Sequence, residues 1–64
     1  MKDWTPEDVR ALRDALGLTR ERMAWLLGVS MATVVRWEQG KNEPSPVMKR
    51  LLNDVERQNS ARTI

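Results

Sequence analysis

The side chains with the most chemical reach in this sequence are arginines, Arg20, Arg22 and Arg36 in its middle, followed by Lys41. A guanidinium is a permanent cation with a planar fork of donors, suited to carboxylates, phosphates and base edges. Catalysis has little to draw on. There is no histidine, tyrosine or cysteine, so the usual neutral-pH base, the commonest metal ligand and the thiolate nucleophile are all missing. No glycine loop of the phosphate-gripping kind occurs, and the paired acids Glu7 and Asp8 read as helix-end charges. We therefore expect no enzyme, no metal site and no cofactor. Eleven Lys and Arg against nine Asp and Glu give a net charge of +2, which is compatible with nucleic acid without requiring it. Asp3, Glu7, Asp8 and Asp14 crowd the first quarter, and Arg20, Arg22, Arg36, Lys41, Lys49 and Arg50 lie further along, so one acidic and one basic side are expected.

The elements that must position these arginines are marked by glycine, proline and hydroxyl residues. All three glycines and all three prolines fall where helices should stop or start. A first helix opens at Thr5-Pro6-Glu7-Asp8 and closes at Gly17, with Val9, Leu12 and Leu16 on one face and Trp4 set to staple onto Val9. A second, capped by Thr19, turns Met23, Ala24 and Leu27 inward, staples Leu18 onto Met23 and ends at Gly28. A third, capped by Ser30, runs about ten residues to Gly40 and buries Val34 and Trp37, with Val29 as its staple. After the connector Lys41–Pro44, Ser45-Pro46 starts a last helix carrying Val47, Met48, Leu51, Leu52 and Val55, and a frayed, flexible tail is expected from Gln58 to the end. Sixty-four residues make one domain, 1–64, with a small core and no room for a large cleft. No apolar run approaches a membrane span, so a soluble, intracellular chain is expected.

Residues 20–39 have the pattern of two short helices meeting at a sharp turn. Ala24 is small where the helices should cross, Gly28 permits the reversal, and Val29, Val34 and Trp37 lock the second helix onto the first. The run from Leu18-Thr19 through Met23-Ala24, Leu27-Gly28-Val29-Ser30, Thr33-Val34 and Trp37-Glu38-Gln39-Gly40 resembles the phage-repressor-like, Cro/C1-type (XRE) helix-turn-helix family. The resemblance extends over about Val9 to Leu52. Met23 stands where leucine is commoner, and Arg20 and Arg22 replace the usual glutamine and glutamate.

The resemblance implies an all-α, lambda-repressor-like domain of four helices, or five, that binds double-stranded DNA and regulates transcription, usually as a repressor. It places the helix from Ser30 to Gln39 in the major groove, with Met31, Ala32, Val35 and Arg36 reading base edges. Arg36 could bond both O6 and N7 of guanine, and Met31 and Ala32 could pack on a thymine methyl. Phosphate contacts are expected from Thr19, Arg20, Ser30 and Thr33 at helix ends, and from Lys41 and Asn42 as the family's second backbone clamp. Arg13 and Glu38 look like its semi-buried ion pair, tying the third helix to the scaffold. Trp25, where the family usually keeps a polar residue, points outward and divides evenly between a partner surface and local packing.

One recognition helix reads three or four base pairs, too few to reject the ~10⁶ to 10⁹ competing sites of a genome. A homodimer on an inverted-repeat operator is expected, with the last helix, including Val55, and Trp25 as candidates for the self-contact. The implied setting is a bacterial or phage-encoded cytoplasmic protein acting as an autorepressor of a small operon. The competing reading is a protein-interaction module, such as an antitoxin, that keeps the scaffold and binds a partner protein through Trp25, Met31 and Val35.

Overall fold

Each helix of this chain starts on a hydroxyl side chain. In the computed structural model, which describes residues 2–61, Thr5, Thr19, Ser30 and Ser45 accept hydrogen bonds from the backbone N–H three residues on, at 3.1 to 3.2 Å. These bonds satisfy donors that a helix N-terminus leaves free, each worth ~1 kcal/mol. At Thr5 the arrangement is reciprocal, because the Asp8 carboxylate accepts from the Thr5 N–H at 3.0 Å. The helices are α1 (Pro6–Leu16), α2 (Arg20–Leu27), α3 (Met31–Glu38) and α4 (Pro46–Ala61), with no strand among the described residues.

The turn between α2 and α3 depends on Gly28, whose φ of 73° is a left-handed conformation that a Cβ would strain. Around it the Gly28 N–H donates to the Trp25 carbonyl at 3.3 Å and the Val29 N–H to the Ala24 carbonyl at 3.0 Å. This double closure ends α2 and starts the chain into α3 within three residues. The end of α3 is closed the same way, by Gly40 N–H to Trp37 and Lys41 N–H to Arg36. Ser30 and Gln39 are caps, so α3 is eight residues, ~12 Å, shorter than the ten expected.

Val9, Leu12, Met23, Ala24, Leu27, Val34, Trp37 and Leu52 form one buried cluster. Burying Trp37 contributes ~5 kcal/mol by area, an upper value. Trp4 is a full member of that core, 2 % exposed. Its indole Nε1 donates to Asn53 Oδ1 at 3.1 Å, and Lys2 lies over its ring while pairing with Glu56, so the segment before α1 is fastened to α4. Trp4 adopts a φ of 58°, which costs a non-glycine residue ~1 kcal/mol or more and persists because the indole is enclosed.

Two expectations for α4 are corrected. Val47 is 73 % exposed, because Met48, Leu51, Leu52 and Val55 already make the i, i+3, i+4, i+7 stripe and Val47 falls ~100° off it. The helix also continues past Gln58 to Ala61, since residues 58–61 contain no glycine or proline to stop it. Residues 62–64 of the expected tail lie outside the described residues.

Candidate nucleic-acid interface

The alternation of types along α3 gives it two different sides. Val34 and Trp37 face the core, Glu38 joins them at 5 % exposure, and these three fix the helix in position. Met31, Ala32 and Arg36 are exposed and Val35 is half-buried at the edge. Met31 keeps 51 % of its surface in solvent. Among the described residues Arg36 takes part in no ion pair or side-chain hydrogen bond, and its guanidinium is free to meet a ligand. Of the four side chains expected to read bases, Met31, Ala32 and Arg36 are thus exposed on one short, capped helix, and Val35 lies at the border of its buried side.

At the start of α3, Ser30 and Thr33 are committed to each other. The Ser30 hydroxyl accepts the Thr33 N–H, and the two hydroxyls lie 2.9 Å apart. Thr19 caps α2 through the Arg22 N–H. These hydroxyls keep acceptor and donor capacity after capping, and Thr19 and Ser30 are exposed, so a phosphate contact is compatible with the cap. Lys41 and Asn42 follow the end of α3 and are exposed.

What holds α3 is an arginine cluster larger than the pair Arg13–Glu38. Arg13 grips the Glu38 carboxylate with two nitrogens, Nε to Oε2 at 2.7 Å and Nη2 to Oε1 at 3.2 Å, and its Nη1 donates to the Leu18 carbonyl at 3.1 Å. One guanidinium therefore ties together α1, the α1–α2 turn and the end of α3. Arg20, expected at the phosphates, donates from Nε to Glu38 Oε1 at 3.1 Å, and half of its side chain stays exposed. It begins α2, and the sharp turn brings that end of α2 beside the end of α3. Arg10 completes the set, with Nη2 donating to the Glu38 backbone carbonyl at 3.1 Å and Nε 3.8 Å from Oε1. Sequence reasoning missed Arg10. Its signal was its place three residues before Arg13, on the same face of α1.

Burial pushes the Glu38 carboxyl upward, but the hydrogen bonds from Arg13 and Arg20, with their charges, outweigh it and hold its pKa below the usual carboxylate range. The Arg13 guanidinium is raised above its ordinary value, first by its hydrogen bond to Glu38. Three cations on one anion leave the cluster net positive, and Arg10 and Arg20 present the excess to solvent at about half exposure.

The remaining unexpected surface lies at α2. Trp25 is 78 % exposed and Leu26 beside it 47 %. Trp25, Leu26, Leu16, Leu18 and Arg22 line one groove, and Leu16 and Leu26 continue into a second lined by Val55, Gln58 and Asn59. Trp25 and Val55, the two candidate interface residues, therefore line adjoining grooves that share Leu16 and Leu26. Leu16 and Leu18, read as core and staple, are only half-buried here.

Two short helices joined through a left-handed glycine, the second bearing an open polar-apolar face, define a helix-turn-helix protein. The chain belongs to the helix-turn-helix domain family, whose profile matches residues 7–57. Membership points to DNA binding and regulation, and the family is typically non-enzymatic. No curated protein and no solved structure matches the chain. No described helix is long and apolar enough to cross a membrane.

Proposed function

We propose that this protein is a sequence-specific, double-stranded-DNA-binding transcriptional regulator of the Cro/C1 type, which represses a small operon, its own included, by occupying an inverted-repeat operator as a homodimer in a bacterial cytoplasm. The observation that carries this is the open side of α3. Arg36 stands unpaired among Met31, Ala32 and Val35 on a helix whose other side is locked by Trp37 and the Glu38 cluster. Rigid positioning matters because base readout demands hydrogen-bond geometry within the groove. Thr19, Ser30, Thr33, Lys41 and Asn42 supply phosphate contacts around it, and Arg20 adds its exposed half to the positive field. With the promoter covered, polymerase is excluded.

Selection of bound sites from random duplexes, followed by footprinting, tests this reading. An inverted repeat with half-sites about one helical turn apart, and loss of preference for one guanine in Arg36→Ala, are the expected results. A second reading, a protein-interaction module, is favoured by the exposed Trp25 and Leu26. It predicts weak, salt-insensitive association with every duplex and no selective effect of Arg36→Ala.

A further inference from the structure

We propose that the apolar surface around Trp25 is the contact between two copies of this chain, related by a twofold axis. The pairing deepens the operator-binding reading and rests on it for its purpose, the joint occupation of two half-sites, but the contact itself can be tested without DNA.

Trp25 contributes nothing evident to the fold of its own chain, since more than three quarters of it is in solvent while Trp4 and Trp37 are enclosed at 2 % and 4 %. Trp25 is one wall of an open groove of about 340 Å³, whose other walls are Leu16, Leu18, Arg22 and Leu26. A twofold contact requires each copy to carry both halves of the fit, because residue i meets j and j meets i. This surface carries both, the exposed indole of Trp25 and the largely apolar recess that the indole borders. Arg22 is the one charged residue lining it, so two copies brought face to face oppose little like charge. None of the lining residues belongs to α3, and pairing leaves the Arg36 side uncovered.

The available area sets the strength. Trp25 exposes ~150 to 200 Å² and the neighbouring leucines enlarge the patch to a few hundred, against ~800 Å² per partner in an interface of standard size. That figure would be about a sixth of the 4562 Å² surface of the domain. The surface therefore supports a weak, concentration-dependent dimer centred on Trp25. Occupation of an operator by such a dimer rises steeply with protein concentration, because two copies must assemble on one duplex.

Sedimentation equilibrium combined with acrylamide quenching of tryptophan fluorescence tests the contact. As concentration rises, the mass should move from one chain towards two and the accessible tryptophan signal should fall, since only Trp25 is open to quencher. Trp25→Glu should weaken pairing at least ~30-fold, the scale of an interface hot spot, while keeping the wild-type melting temperature and half-site affinity. Val47→Glu, on an exposed residue outside the surface, should pair like the wild type. The proposal is overturned if the wild type stays a single chain at every concentration, on a selected inverted-repeat duplex as well. It is equally overturned if Trp25→Glu pairs as the wild type does. Pairing without any duplex binding would retain the contact and remove the DNA reading, and half-site binding by a chain that never pairs would do the reverse.

Discussion

On one side of α3, Val34, Trp37 and Glu38 are 0, 4 and 5 % exposed, and three arginines from α1 and α2 converge on Glu38. On the other side, Met31 is 51 % exposed and Arg36 has no partner among the described residues. The residues that hold this helix are thus distinct from those available to read with it. Substitutions on the two sides should abolish the same function by different routes, one through the population of folded protein and the other through the ligand alone.

The largest effect is expected on the held side. Glu38→Ala leaves the Arg13 guanidinium, 15 % exposed, without its carboxylate, and should cost ~3 to 5 kcal/mol. A 64-residue domain has only ~3 to 10 kcal/mol in total. Urea or thermal unfolding should show a midpoint lowered by more than 10 °C, or no cooperative transition, and DNA binding should disappear with it. A wild-type melting curve for this variant would erase the distinction between the two sides.

Next comes Arg36→Ala, which should leave unfolding within ~0.5 kcal/mol of wild type and cost ~1 to 3 kcal/mol of discrimination at one base pair. Titrations against single-base operator variants measure it. Acidification should act through the held side again. The folded pKa of Glu38 is depressed, so its stabilising contribution is present above the ordinary carboxylate pKa of ~4.3 and is lost as pH falls through the lower folded value. Unfolding measured from pH 6 to pH 2 should show this loss, and Glu38→Gln should remove its share of the slope. The smallest effect should be that of Arg20→Ala. Its half-exposed pair with Glu38 is worth under ~1 kcal/mol, whereas a phosphate contact would appear as a salt-dependence slope reduced by about 1. Comparing the two readouts decides which side Arg20 serves.

The legible parts of the sequence were the local ones. Thr5, Thr19, Ser30 and Ser45 mark helix starts because a cap is a bond across three residues, and Gly28 marks the turn because only its own φ is at stake. Ala32 and Arg36 could be placed opposite Val34 and Trp37, and Met31 and Val35 at the edges of that side, by helical periodicity alone. Arg10 and Arg20 converge on Glu38 across 28 and 18 residues, a meeting set by how α1, α2 and α3 pack, which no local pattern encodes. Trp4 read as a staple and proved to be core because its partner Asn53 lies 49 residues away. Trp25 could be seen to point outward. That Leu16, Leu18 and Leu26 line a groove with it follows from how α1 packs beside α2, and Val55 reaches the adjoining groove only through the placement of α4, neither of which could be read from the sequence.

We propose, above all, that the open side of α3 reads base sequence. Binding of the wild type and of Arg36→Ala to the selected operator, and to duplexes with each base pair replaced in turn, tests it most directly. The expected result is a ~5- to 150-fold loss of discrimination confined to one guanine position in each half-site, with preferences elsewhere intact. Equal affinity of the two proteins for every duplex, or a uniform weakening that leaves all preferences unchanged, would contradict it.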